Sequence, residues 1–339
     1  MKQLVSCLAC HVAYSLVAFG LVTSTAVAGS PPEPARLAVR DPGAPICTAY
    51  YIVSEFGPAN PFMAVEARGM QAAARQLHIH AVFSGPTGTE GSIPIMESLL
   101  RSAIAAHPCG IATQLADPTA LNAPIEGALA KGIPVVLWNA QDFKRSNGAI
   151  SRLQYIGQDE TTSGEKLATH LAPDLHAGDT VVYGMDFPGE LVGTYRYRGV
   201  KAGLSAHGIR TVLVDVGSDP TRGVAILDAY ISSHPGVKAI VSNGIPSAEA
   251  AVDYAKEKGK EKLILASFDM GPQIVTAIEQ GYQLFALDQQ PYLQAYLAII
   301  DLYQMRQGFG AFSANTGTLF VDQANVADFA RLTSKGIGG

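Results

Sequence analysis

From Thr48 onward, the sequence alternates between short apolar runs rich in β-branched residues and alanine-rich stretches with a helical period. The apolar runs, from 48–54 to 282–288, predict strands, and the stretches between them predict helices. Because these strands are apolar throughout, they should be buried on both faces, which is typical of parallel sheets covered by helices. Two rounds of the pattern predict an α/β fold with two doubly wound parallel sheets, one in each of two lobes.

The composition fits a folded chain of this kind. A chain of 339 residues is too long for one ordinary hydrophobic core and suits two domains. Apolar residues make up 48% and charged residues 16%, which is typical of a globular protein and argues against a largely disordered chain. The net charge of −5 gives no electrostatic attraction to a nucleic acid, so we expect no nucleic-acid partner.

The N-terminus has the features of a secretory signal peptide. Lys2 precedes an apolar stretch at 16–22, and the A-x-A pattern Ala26-Val27-Ala28 follows it. We therefore expect residues 1–28 to be a signal peptide cleaved after Ala28. The apolar stretch is too short to serve as a permanent membrane anchor.

Two further features lie in this region. The proline-rich segment 29–45 should be a flexible lead-in to the fold. The pattern Leu8-Ala9-Cys10 resembles a lipoprotein cleavage site, but the apolar stretch follows this cysteine instead of preceding it. We therefore do not expect lipidation.

Polar side chains end many of the predicted strands. The carboxyl ends of parallel strands form the crevice in which open α/β sheets bind ligands. Any one of these residues could simply cap the next helix. Amides and carboxylates long enough to reach outward recur in both halves, however, and together they predict a small polar ligand held between two lobes. The residues are Ser54, Glu55, Ser84, Gln114, Asn139, Asp186, Asn243, Asp269, Asp288 and Gln289.

Three segments resemble one family of solute receptors. They are SEFGPANPFMAVEARGMQAAARQL (54–77), YIGQDETTSGEKLATHL (155–171) and SFDMGPQIVTAIEQGYQLFALDQQPYLQAYLAI (267–299). In this order they resemble the type I periplasmic sugar-binding proteins of ABC importers, and the resemblance extends from Cys47 to Phe329. The DQQPYLQ motif is similar to that of the ribose and simple-sugar branch.

The resemblance implies a domain organisation. Two Rossmann-like lobes would be joined by a three-segment hinge, as in a type I periplasmic binding protein. The N-terminal lobe would comprise residues 46–153 and 290–313, and the C-terminal lobe residues 154–289 and 314–335. Such a receptor is expected to be a monomer.

The resemblance also implies ligand-binding residues in the first lobe. Asn60 matches an amide that hydrogen-bonds a ligand hydroxyl, and Phe62 matches a ring that covers a sugar face. Met63 stands where the family often has a second aromatic ring. Gln114 lies at a strand end that lines the pocket in the family. Asn60 is equally suited to cap the helix that begins at Pro61, and both roles are compatible.

The end of the fourth predicted strand departs from the family pattern. The family often has a carboxylate followed by a basic residue, whereas this chain has Asn139 followed by Ala140. This difference implies that ligand binding depends less on charge than it does in the family. Trp138, the only tryptophan, is included among the ligand-binding candidates, although a position in the core is equally compatible with the sequence.

Further binding residues are implied in the second lobe and at the hinge. Arg196 of the RYRG motif would direct a rigid fork of donors at ligand oxygens. Asn243 matches a ligand amide, and Asp269 matches a carboxylate that accepts from two adjacent hydroxyls. Gln289 matches the last contact, at a crossing between the lobes. Asp159 is expected at the hinge, while Phe187 and Tyr195 are alternative aromatic covers.

The resemblance implies a periplasmic receptor that binds a sugar or polyol and delivers it to a membrane ABC permease. The same fold serves chemoreceptor-coupled sugar binding, so a chemoreceptor stays open as an alternative partner.

A transcriptional regulator is disfavoured because residues 1–44 lack a basic DNA-binding segment. The sequence has no HExxH, GxSxG, GxGxxG or P-loop motif, so we expect neither an enzyme nor a cofactor. We expect no metal either, since His78 and His80 lie at a strand start. Pentoses, hexoses and inositols all remain candidate ligands.

Two cysteines, Cys47 and Cys109, remain after removal of the signal peptide. In a doubly wound sheet of this type they would start neighbouring strands, far from the ligand. In an oxidising compartment they could form a disulfide if their Cα atoms lie within about 7 Å of each other. Two small buried hydrophobic side chains are the alternative.

Overall fold

The computed structural model describes residues 47–146 and 148–338 of the protein. The expected cleavage after Ala28 and the lead-in at 29–45 lie outside these residues. In the described part of the chain, no helix has both the length and the hydropathy required to cross a membrane.

The first sheet is parallel throughout, as the apolar strands predict. Its strand order is β11-β5-β4-β3-β1-β2, with strands numbered along the chain. Central positions such as Ile52, Ile111 and Val136 are fully buried, because helices cover both faces of the sheet. The strands are β1 (Tyr50–Val53), β2 (Ala81–Ser84), β3 (Gly110–Thr113), β4 (Val135–Asn139), β5 (Tyr155–Gly157) and β11 (Ala314–Asn315).

The second sheet repeats this arrangement in the order β12-β10-β9-β8-β6-β7. All of its neighbouring strands are parallel except β10 and β12, which pair antiparallel. This antiparallel edge strand is not among the strands predicted from the sequence. The strands are β6 (Thr180–Met185), β7 (Arg210–Asp215), β8 (Val237–Ser242), β9 (Ile264–Phe268), β10 (Phe285–Asp288) and β12 (Leu319–Asp322).

Helices cover both sheets, and several begin at a polar cap followed by proline. Asn60, Asp117 and Asp219 each accept backbone hydrogen bonds at a helix start and are followed by proline in the first turn. The first lobe contains α1 (Pro61–Leu77), α2 (Ile93–Ala105), α3 (Pro118–Ala130) and α9 (Pro291–Arg306). The second contains α4 (Glu160–Leu171), α5 (Leu191–Ser205), α6 (Pro220–Ser233), α7 (Ile245–Glu257), α8 (Pro272–Glu279) and α10 (Val326–Ser334). Short 3-10 turns span Phe143–Arg145, Ile150–Arg152 and Ala172–Asp174.

The chain passes between the two sheets three times, at residues 158–159, 289–290 and 316–318. Strands β5 and β11 both belong to the first sheet, so by sheet membership the lobe boundaries lie at 157 and 315 instead of 153 and 313. The reason is that β5 has 3 residues and β11 has 2, which is too short for a hydrophobic pattern to reveal.

Glycines allow helices α4 and α5 to pack backbone against backbone. A Cβ atom on Gly199 would lie 2.0 Å from the carbonyl oxygen of Thr161. A Cβ atom on Gly164 would lie 2.4 Å from the carbonyl oxygen of Arg196. Both distances are far below van der Waals contact, so these two positions require glycine. The close approach holds the start of α4, at Glu160, beside the first turns of α5.

A disulfide joins Cys47 to Cys109, with the two Cα atoms 4.9 Å apart. The structure therefore resolves the two alternatives for these residues in favour of the bond. The cysteines precede the neighbouring strands β1 and β3. They consequently lie at the edge of the first sheet opposite the carboxyl ends of its strands.

We expect a mature chain beginning at residue 29 to show no free thiol when it is denatured without reductant, and two after reduction. Because the bond closes a separation of 62 residues, its loss should lower the free energy of unfolding by about 4 kcal/mol through loop-closure entropy. Thiol titration and denaturant unfolding of Cys109→Ser measure the two effects. Two reactive thiols before reduction would contradict the bond.

Candidate functional site

A cavity of about 690 Å³ lies between the lobes, at the carboxyl ends of strands in both sheets. This is where open α/β sheets bind ligands. The structure brings eight of the nine predicted residues onto its wall; Trp138 is the exception. The eight are Asn60, Phe62, Gln114, Asn139, Arg196, Asn243, Asp269 and Gln289.

Asn60 both caps a helix and faces the cavity. Its Oδ1 accepts hydrogen bonds from the backbone N–H groups of Phe62, at 3.0 Å, and Met63, at 3.4 Å. These contacts satisfy orphan donors at the start of α1. Helix α1 begins at Pro61, and the next two residues, Phe62 and Met63, line the cavity.

Gln114 and Asn139 form a buried amide pair at the ends of strands β3 and β4. Gln114 Nε2 donates to Asn139 Oδ1 at 2.6 Å, and Gln114 Oε1 accepts from the backbone N–H of Glu55 at 2.6 Å. Asn139 Nδ2 donates to Gln294 Oε1 at 3.2 Å. Asn139 adopts a left-handed backbone conformation with φ 58°, which asparagine tolerates better than most residues.

Trp138 does not line the cavity, in contrast to its prediction as a binding residue. Its side chain is fully buried and packs edge-on against Phe83, with ring centroids 6.2 Å apart. Side chains alternate between the two faces of a strand, so Trp138 points into the core of the first lobe while its neighbour Asn139 reaches the cavity.

Arg196 is the central basic group of the site. Its side chain is only 2% exposed. Nε donates to Glu160 Oε2 at 2.7 Å, and Nη1 donates to Asp269 Oδ2 at 3.3 Å and to the carbonyl oxygen of Asn243 at 2.7 Å. The guanidinium also lies 4.5 Å from the ring centroid of Phe268. Burial lowers the pKa of Arg196, but Asp269 and Glu160 outweigh it and raise the pKa further above its usual range, so the group stays charged.

The carboxylate of Asp269 is oriented from two sides. Gln289 Nε2 donates to its Oδ1 at 2.7 Å, while Arg196 binds its Oδ2. On the same wall, Tyr183 donates its hydroxyl to Asn243 Oδ1 at 2.8 Å. These side chains are therefore held in place by the protein, which is the preorganisation that hydroxyl recognition needs.

The crossing segments are tied to one another next to the cavity. Gln290 Nε2 donates to the carbonyl oxygen of Thr316 at 2.6 Å, which joins two of the crossings. Asp288 Oδ1 accepts from the backbone N–H of Gln290 at 3.0 Å. Asp159, at the remaining crossing, caps α4 by accepting from the N–H of Thr162 at 2.7 Å and is not part of the cavity wall.

The two lobes touch around the rim of the cavity. Ser218 donates its hydroxyl to Glu90 Oε1 at 3.1 Å, and Tyr195 donates to Asp142 Oδ1 at 3.1 Å. Phe187 lines the cavity and packs on Phe56 of the other lobe, with ring centroids 5.4 Å apart. Of the two alternative aromatic covers, Phe187 is thus on the wall and Tyr195 is at the rim. These contacts describe a closed arrangement of the lobes.

Several acidic wall residues were not predicted as binding residues. Glu55 and Asp186 follow strands and had a sequence signal, whereas Glu90, Glu190 and Glu249 precede or lie within loops and helices. Burial raises the pKa of Glu55 and of Asp186 to about 7. Within residues 47–146 and 148–338, no three His, Cys, Asp or Glu side chains gather in a way that could hold a metal ion.

Comparisons with known proteins agree with this architecture. The xylose/arabinose-binding protein XylF of Sulfolobus acidocaldarius is 25% identical over 315 residues, which cover 88% of this chain and 77% of that protein. The D-ribose/D-allose-binding protein of Pseudomonas aeruginosa is 25% identical over 225 residues, or 66% of this chain and 69% of that protein. The crystal structure of a carbohydrate transporter from Acidothermus cellulolyticus in complex with myo-inositol matches with a TM-score of 0.73 and 25% identity, covering 86% of this chain and 100% of that one.

A family-level comparison covers most of the fold. Residues 52–309 match the family described as the periplasmic binding protein domain. The matched region contains most of both lobes, including all eight wall residues that the sequence predicted. The chain therefore belongs to the periplasmic binding protein family, in the type I form with two parallel-sheet lobes.

Proposed function

We propose that this protein is a periplasmic receptor that captures a sugar or polyol between its two lobes and delivers it to a membrane ABC permease. The observation that carries the proposal is the cavity between the lobes, whose wall combines amides, a carboxylate and a guanidinium from both lobes. The names of the relatives support the ligand class, since they include receptors for xylose, arabinose, ribose and allose and a complex with myo-inositol.

The arrangement of donors and acceptors suits a polyhydroxylated ligand. Asp269 can accept from two neighbouring hydroxyls, while Arg196 and the amides of Asn243 and Gln289 supply donors beside it. Phe62 offers an apolar ring to the less polar face of a sugar. A site built from paired polar groups rejects ligands that leave those groups unsatisfied.

The proposed receptor acts by binding and closure, without chemical turnover and without a cofactor. The rim contacts between Ser218 and Glu90 and between Tyr195 and Asp142 form only when the lobes come together, so ligand capture is coupled to closure about the three crossings. The closed form is what the permease would recognise. Residues 1–28 would direct export to the periplasm, and the mature receptor would act as a monomer.

A thermal-shift screen of pentoses, hexoses and inositols tests the proposal, because a ligand that binds only the folded state raises the melting temperature. We expect at least one of these compounds to do so. If no carbohydrate shifts the melting temperature while an acid or a simple amine does, the proposal fails. Consumption of a bound sugar during incubation would instead contradict a receptor without turnover.

We expect Asp269→Asn to weaken binding of the identified sugar by about 100-fold, because the variant loses charge-assisted hydrogen bonds to two hydroxyls. Asp215→Asn is a matched control, since Asp215 also ends a strand but is exposed and is not on the cavity wall. Titration calorimetry on both variants measures the effect. Equal affinities in the two variants would remove Asp269 from the binding site.

A further inference from the structure

Acidic side chains outnumber basic ones on the wall of the cavity. The basic residues are Arg68 and Arg196, and Arg196 already binds Asp269 and Glu160. The cavity wall therefore carries more carboxyl groups than its own basic groups can pair with. The acidic wall residues are Glu55, Glu90, Asp186, Glu190, Glu249 and Asp269.

Glu55 and Glu190 stand out because they come from opposite lobes and, within the described part of the chain, neither forms an ion pair. Glu55 follows β1 and Glu190 directly precedes α5. Among the residues that the structure describes, no lysine, arginine or histidine forms an ion pair with either carboxylate. By contrast, Asp186 accepts from the N–H of Ser247 at 2.9 Å, and Glu90 accepts from Ser218.

The environment of the pair disfavours the charged forms. Burial, followed by the charge of Glu55, raises the pKa of Glu190 to about 8, against an opposing effect of the Arg196 charge. Burial, followed by the charge of Asp117, raises the pKa of Glu55 to about 7. Deprotonation of either group is thus disfavoured in the empty cavity, and a cation between them would stabilise the charged forms by offsetting part of the desolvation penalty.

Two aromatic residues lie close in the sequence to these two carboxyl groups. Phe56 is the neighbour of Glu55, and Phe187 lies three residues before Glu190. The two rings are 5.4 Å apart, one from each lobe, and both line the cavity. Carboxylates and aromatic faces are the two side-chain groups that attract an ammonium ion most strongly.

A separate observation concerns the other end of the ligand. Arg196 is 1% exposed and lines the cavity, and its Nη2 has no hydrogen-bond partner among the described residues. A buried guanidinium nitrogen without an acceptor is costly, so an oxygen atom that reaches this nitrogen, from a bound ligand or a water molecule, would stabilise the site.

We propose that the ligand carries a protonated amine in addition to its hydroxyls, as in an amino sugar or an amino polyol. Its ammonium group binds between Glu55 and Glu190, and its oxygens are held by Arg196 and Asp269. This inference rests on the proposed function, because it assigns the ligand of the same cavity. A neutral sugar, in contrast, supplies no positive charge to these two carboxyl groups.

The test compares matched pairs of compounds by titration calorimetry at pH 7: D-glucosamine with D-glucose, D-galactosamine with D-galactose, and an amino-deoxyinositol with myo-inositol. We expect the amino compound of at least one pair to bind at least tenfold more tightly than its neutral partner. Glu55→Gln and Glu190→Gln should each reduce that preference at least fivefold. Glu165→Gln, which removes one negative charge from an exposed position on α4, should leave it unchanged.

The outcomes separate this inference from the proposed function. If the neutral member of every pair that binds is preferred, or if the preference for the amine survives in both glutamine variants, the inference is overturned while the receptor function stands. If neither member of any pair binds and no other amino sugar shifts the melting temperature, while a neutral sugar does, the inference is likewise overturned. If no sugar of either kind binds, both fail together.

Discussion

Arg196→Ala is expected to abolish detectable sugar binding, with an affinity loss of at least about 100-fold. The side chain is buried, donates to Asp269 and to the carbonyl oxygen of Asn243, and lines the cavity. The substitution removes the donors that face the ligand and also releases Asp269 from its orientation. Titration calorimetry with the sugar identified in the screen measures the loss.

The same substitution is expected to lower the free energy of unfolding by about 3–5 kcal/mol, because it leaves Glu160 and Asp269 buried without their cation. Denaturant unfolding measures this term and defines the conditions in which the variant is still folded. Arg196→Lys keeps the positive charge but lacks the planar fork, so we expect intermediate stability and still poor binding.

Arg198→Ala is the control for both measurements. Arg198 lies on the same helix, is exposed, and is 5.0 Å from the ring of Tyr195. It should change neither the affinity nor the stability by a large amount. If folded Arg196→Ala binds the sugar as tightly as Arg198→Ala does, Arg196 is not a ligand contact.

Gly199→Ala, which adds a single methyl group, is expected to lower the free energy of unfolding by about 3 kcal/mol or more. The new Cβ would lie 2.0 Å from the carbonyl oxygen of Thr161, and backbone atoms cannot move aside as a flexible side chain can. Helices α4 and α5 must therefore separate. Since α4 begins at Glu160 and α5 carries Arg196, sugar affinity should also fall.

Gly127→Ala provides the matched comparison. Gly127 lies within helix α3, and nothing is within 4 Å of the position that its Cβ would occupy. Alanine has the higher helix propensity, so we expect this variant to gain about 0.5–1 kcal/mol. Urea unfolding of both variants gives the contrast. Equal stability of Gly199→Ala and the unmodified protein would show that α4 and α5 are not in close contact.

The sequence was sufficient to predict the two sheets and the place of the cavity, because both follow from local patterns. Apolar strands alternate with helical stretches, and the carboxyl ends of parallel strands converge. Asn139, Asn243 and Asp269 directly follow the buried part of a strand, so their position on the wall follows from topology alone. The confirmed relation to sugar-binding proteins rests on motifs in the same segments.

What the sequence did not reveal depends on contacts between distant parts of the chain. Strands β5 and β11 are too short to give a hydrophobic period, and β12 pairs antiparallel only because the chain returns from the hinge. Glu190 precedes a helix and resembles an ordinary surface carboxylate. Its place on the same cavity wall as Glu55 follows from the approach of the two lobes. Likewise, Glu160 becomes the partner of Arg196 only because Gly164 and Gly199 bring two helices together.

The three crossings have a consequence for how the molecule is made. The first sheet receives its edge strand β11 at Ala314–Asn315 and the second receives β12 at Leu319–Asp322, both near the end of the chain. Neither sheet is complete before these residues have been synthesised, and pairing across such sequence distances is slow. If the chain is exported as we propose, this delayed folding keeps it extended for the time that passage through a membrane requires.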